Sequence, residues 1–104
     1  MAKYLLLFGG GSMPEGEAAQ AQVMKAWEAW FTELGSAVAD PGNPFTPAAK
    51  KVSSDGSIGD AAASASGYSV IEADSLDQAA KLATGCPVLQ GGATITVFET
   101  FEVM

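Results

Sequence analysis

Three carboxylates stand where a carboxylate could do chemistry: Asp40, Glu72 and Glu99. Asp40 heads the stretch "ADPGNPF", directly before Pro41, whose ring restricts it to extended geometry. At a pocket mouth it would serve as a general base or hydrogen-bond acceptor, if burial raised its pKa towards the working pH. The structural alternative is an Asx residue opening a Pro-Gly turn. Glu99 lies between Val97 and Phe101 on the more apolar face of an alternating run, where an unpaired carboxylate is costly. It is a candidate pocket acid, although an edge position reaching water is the stronger reading. Glu72, among Val70, Ile71 and Ala73, is read in the same way. Tyr68 could donate a hydrogen bond to a ligand, but a structural tyrosine is the commoner role. Cys86 follows a helix end whose dipole disfavours a thiolate, which favours a structural thiol.

Absences narrow the chemistry further. The 104 residues include no histidine and no arginine, and only five lysines. Serine triads, cysteine–histidine pairs and histidine metal sites are excluded, and no guanidinium fork is present for phosphate or carboxylate. A net charge of −7 argues against nucleic acid and anionic membrane surfaces. One cysteine rules out an internal disulfide and fits a reducing compartment. The apolar run Tyr4–Phe8 is shorter than a signal peptide needs, and nothing approaches the ~20 apolar residues of a membrane span. The expected address is the cytoplasm.

The elements that must position these groups are legible from periodicity. Lys3–Phe8, bounded by three glycines, reads as a strand buried on both faces. Ser12 and Glu15 have capping-box spacing, and a helix follows from about Ala18 to Leu34, with Gly35 as its stop. Its apolar stripe contains Val23, Met24, Trp27, Trp30, Phe31 and Leu34. "SAVAD" is a short strand, and Ala49–Ser53 reads as another before the Asp-Gly turn of "SDGS". Residues 57–66, small and polar, read as a mobile loop. "GYSVIEAD" is a strand, and "SLDQAAKLATGCP" a helix capped by Ser75 and Gln78 and stopped by Gly85 and Pro87. "GGATITVFETFEV" reads as one long final strand.

One domain is expected over 1–104. The order β-α-β, an irregular excursion, then β-α-β is the α+β ferredoxin-like split pattern, a four-stranded antiparallel sheet with two helices on one face. The last strand has apolar groups on both faces, so the uncovered face needs a cover. A second copy packed sheet to sheet supplies it and predicts a two-fold homodimer.

The opening "AKYLLLFGG", the Ala/Trp-rich first helix, "ADPGNP" and "GYSVIEADSLDQAAKLATGCPVLQGGATITVFETF" resemble the YCII-related domain. The resemblance spans almost the whole chain and is strongest from Gly67 to Phe101. It implies a dimeric α+β barrel with a small-molecule pocket in each protomer and no tightly bound metal or cofactor. The family's proposed site pairs a histidine on the first helix with an aspartate after it. Met24 stands at or near the histidine's place, and Asp40 near the aspartate's. The family's Asp-Gly-Pro-Phe motif is missing too, with "SIGDAAASAS" in its region, so the dyad mechanism does not transfer.

Two functions follow as expectations. The first is a homodimer binding a small organic metabolite near the 38–47 loop, with Met24, Trp30, Phe45, Tyr68 and Glu99 as lining residues. The second is a small enzyme of lyase, isomerase or cofactor-free oxygenase type with Asp40 as general base. Trp27 and Phe31 are read as core. Pro41, Pro44 and Pro47 stiffen the excursion into a rim on which Phe45 is the one large apolar group of the first ten residues; a plain dimer arm is the alternative.

Overall fold

The computed structural model describes residues 2–11, 15–62 and 64–103. Among the described residues it is α+β: two α-helices, a four-stranded antiparallel sheet and a separate two-stranded ribbon. The elements are β1 (Ala2–Gly9), α1 (Glu17–Leu34), β2 (Val38–Asp40), β3 (Lys50–Val52), β4 (Ile58–Asp60), β5 (Gly67–Ala73), α2 (Leu76–Ala83) and β6 (Thr94–Glu99). The sheet order is β2-β5-β1-β6, and β3 pairs only with β4. No helix among the described residues is long and apolar enough to cross a membrane.

Strand alternation divides the sheet into two unlike faces. Tyr4, Leu6 and Phe8 of β1 and Ile71 and Ala73 of β5 form one buried cluster with Trp30 of α1 and Ala79 and Ala83 of α2. Both helices therefore lie on this face. Trp27 joins it tilted against Phe8 and edge-on to Trp30, at ring separations of 5.7 and 5.8 Å. The first two turns of α1 run past the core: Met24 is 57% exposed, although the helical stripe includes it.

Local chemistry accounts for the ends of the elements. Gly35 closes α1 at φ 58°, in the left-handed region that favours glycine. At α2 the Ser75 hydroxyl accepts the Gln78 N–H, while the Gln78 side chain reaches back to the Asp74 N–H. That is one residue beyond the expected reciprocal cap. Ser12 lies outside the described residues, and Gly16, at the start of α1, gives no side-chain cap.

Two expectations about the second half need correcting. Residues 57–66 are not all loop, because Ile58–Asp60 is strand β4, in register with Lys50–Val52. The Ser and Ala that surround these three residues mask the strand in the sequence pattern. The final strand is also shorter than its alternation suggests. Residues 87–91 form a 3-10 turn, and the ladder ends at Glu99, after which Thr100 donates both its N–H and its hydroxyl to the Lys3 carbonyl. That double bond anchors the chain just before Phe101 and Val103, which lie exposed beyond the ladder.

Candidate functional site

The proline-rich excursion is bonded along β5 as an irregular continuation of β2. Tyr68 donates its N–H to the Asn43 carbonyl at 3.2 Å, Pro44 bridges Gly67, and Phe45 donates its N–H to Ser66 at 2.8 Å. The fully buried Ser69 hydroxyl donates to the Pro41 carbonyl at 2.7 Å. Pro41 and Pro44 have no N–H to offer a further strand, so they suit this outer edge and also protect it. The rim is thereby fixed to the sheet at four successive points.

A bulge sets the direction of Asp40. Val38 pairs with Ile71, yet Asp40 pairs with Val70, so β2 advances two residues while β5 advances one. Simple alternation would put Val38 and Asp40 on one face. The bulge instead registers Asp40 with Val70, on the face away from the helices. There its carboxylate accepts the Gly42 N–H at 2.9 Å, and the residue is exposed. Phe45 and Tyr68 meet on the same side, their rings stacked 5.9 Å apart at 28°.

The face they border is apolar at its centre. Leu5 lies between Val70 and Phe98, and Leu7 between Tyr68 and Thr96. Leu5, Leu7, Tyr68 and Val70 are half-buried, while Phe98 is 47% and Phe45 45% exposed. Lys3 and Glu72 stand opposite each other at one end of this face. Leu5, Leu7, Val70 and Phe98 were not among the expected lining residues. Their signal is the unbroken run Tyr4–Phe8, which no strand with one solvent face requires.

The remaining candidates lie elsewhere. Trp30 is buried on the helix side and donates its indole N–H to the Leu82 carbonyl at 3.3 Å. It contributes to an open cleft of about 520 Å3 between the helices, with Glu33, Leu34, Asp74, Lys81 and Gly85 also lining it. Glu99 registers with Tyr4 on the helix-facing side, at the exposed end of β6. Burial pushes the Tyr4 phenol pKa up, and the Glu99 and Asp74 carboxylates add to the shift. Met24 belongs to the helix layer as well. The structure thus gathers Asp40, Phe45 and Tyr68 on one face and separates Met24, Trp30 and Glu99 from them.

Cys86 is buried, and burial pushes its thiol up to about 11, against a small opposing effect of the Val88 N–H. At neutral pH it is a neutral packing group and no nucleophile. Below pH 9 the thiol is protonated in both folded and unfolded chains. Between about 9 and 11 only the unfolded chain ionises, so stability falls as pH rises through that window. Tyr4 acts in the same direction above its ordinary value of 10. Urea midpoints between pH 8 and 11 should therefore decline, and less steeply in Cys86→Ala. At pH 8, alkylation of the native thiol should be at least ~100-fold slower than in urea.

Among the described residues no group of histidine, cysteine, aspartate or glutamate side chains has the arrangement of a metal site. No protein-family model matches the chain, and no curated protein matches it either.

Proposed function

We infer that this chain is a small homodimer that binds an organic metabolite between the open sheet face and the 38–47 rim. In this reading the fold is the ferredoxin-like split arrangement, two β-α-β units (β1-α1-β2 and β5-α2-β6) interleaved in the sheet. Two such sheets pack face to face, as the resemblance to YCII-related domains implies, without that family's histidine–aspartate pair. The observation that supports it is the apolar surface of Leu5, Leu7, Val70 and Tyr68, half-buried, and Phe98, exposed, opposite the face covered by both helices. The molecule is only 18 Å thick along its shortest axis. One helix layer of about 10–12 Å on one sheet accounts for all of it.

Binding is favoured over catalysis because the Asp40 carboxylate is held in an exposed Asx turn. A proton-transfer enzyme of lyase, isomerase or cofactor-free oxygenase type is the second reading. Its support is the bulge that directs Asp40 onto the same face as Phe45 and Tyr68. Native mass spectrometry of freshly purified protein tests the assignment. The expected result is a species of two 10.6 kDa chains with an additional small mass that is released on denaturation. A monomer at all concentrations would falsify the sheet-to-sheet reading and the shared pocket with it.

A further inference from the structure

The ribbon formed by β3 and β4 has no role in the core. Every residue from Lys50 to Asp60 is exposed, and neither strand pairs with the main sheet. An isolated two-stranded ribbon is at best marginally stable in water. This one is nevertheless well built. Asp55 accepts the Ser57 N–H, Gly56 donates its N–H to the Ser53 carbonyl, and Lys50 is ion-paired with Asp60 across the strands.

One face of the ribbon has the composition of a contact surface. Val52 and Ile58 are directly opposite each other, 67% and 72% exposed. Two residues away on the same face lies the Lys50–Asp60 pair. An apolar centre beside a paired polar rim is the usual anatomy of a protein interface. At the ribbon's root, Pro47, Ala48, Ala49 and Ala61 line a shallow hollow of about 410 Å3. Two lysines and two aspartates make residues 50–60 neutral overall in a chain of net charge −7, so this is a segment that a second acidic copy can approach without repulsion.

Area points to the same occupant. Four strands about 4.8 Å apart and about six residues long present roughly 400 Å2. Stable interfaces bury about 800 Å2 on each partner. The flat footprint of the sheet is thus about half of that accessible area, which leaves room for contributions from elements outside the sheet, the 38–47 rim and the ribbon among them. The ribbon leaves the sheet just after Phe45, the rim residue stacked on Tyr68. The chain's radius of gyration, 15.2 Å against about 13 Å for a compact chain of this length, reflects its flat, extended shape.

We propose that the β3–β4 ribbon is a dimer arm: Val52 and Ile58 seat on the second copy of this chain and complete the interface begun by the sheet. This rests on the homodimer reading above. The test is sedimentation velocity across a concentration series, with wild type beside the double variant Val52→Ser, Ile58→Ser. Both positions are exposed in the protomer, so the variant should retain its far-ultraviolet spectrum and urea midpoint when monomeric. The expected result is a dissociation constant at least ~10-fold weaker, with amide exchange of residues 50–60 in wild type slowing as dimer forms. A wild-type dimer with an unchanged constant in the double variant overturns the arm and leaves the sheet interface standing. Loss of only higher-order association, with the dimer intact, also overturns it by assigning the ribbon to other contacts. A wild-type monomer at every concentration overturns the dimer itself.

Discussion

Gly42→Ala should cost about 3–5 kcal/mol, a large share of the 5–15 kcal/mol by which domains are stable. A Cβ at this position would stand 1.7 Å from the Tyr68 carbonyl oxygen and 2.6 Å from its carbon. Those are backbone atoms of a central strand, so the loop must move instead. Lifting it endangers the Tyr68–Asn43 and Ser69–Pro41 hydrogen bonds, and the buried Ser69 hydroxyl would be left unpartnered at about 1–3 kcal/mol. Gly42 also has φ 74°, which adds about 1–2 kcal/mol for a residue with a Cβ. Gly10→Ala separates the two contributions. Gly10 has φ 73° with nothing among the described residues within 4 Å of its would-be Cβ, so only the conformational cost of about 1–2 kcal/mol applies. Urea unfolding of the two variants should place Gly42→Ala about two to three times further from wild type than Gly10→Ala. Equal losses would mean that the rim is not held against β5. The same substitution should also weaken retention of any bound metabolite, because Phe45 and Asp40 flank the displaced segment.

Leu5→Glu should shift the monomer–dimer equilibrium at least ~1000-fold towards monomer. Leu5 is at the centre of the open face, between Val70 and Phe98. In the proposed dimer each copy would bury an unpaired carboxylate there, and one such charge costs about 3–5 kcal/mol. At 1.4 kcal/mol per tenfold, one buried charge corresponds to roughly 140- to 4000-fold, and the two charges of a symmetric dimer together exceed ~1000-fold. In the free protomer the new side chain reaches water, so the far-ultraviolet spectrum should not change. Sedimentation velocity provides the readout. Association unaffected by Leu5→Glu would remove this face from the interface and relocate the proposed pocket.

The two substitutions differ in how far the sequence foretells them. Leu5 belongs to the continuous apolar run Tyr4–Phe8, and a run without alternation already implies that both faces of β1 avoid water. Gly42 stands among turn residues, where a glycine is expected, yet nothing local reveals that a strand carbonyl 26 residues away occupies its Cβ position.

The sequence by itself determined the helices, the four sheet strands and the ends of α2. These depend on periodicity and capping, interactions confined to a few neighbouring residues. It also removed histidine, arginine and disulfide chemistry by composition alone. Tertiary structure alone decided which face each candidate occupies. A one-residue bulge reverses the side on which Asp40 lies, and strand register separates Glu99 from Tyr68. It also converted part of an expected loop into a ribbon, because Val52 and Ile58 find each other only across the Asp55-Gly56 turn. In each case the deciding contact joins residues on different elements, and a pattern read along one segment contains no term for it.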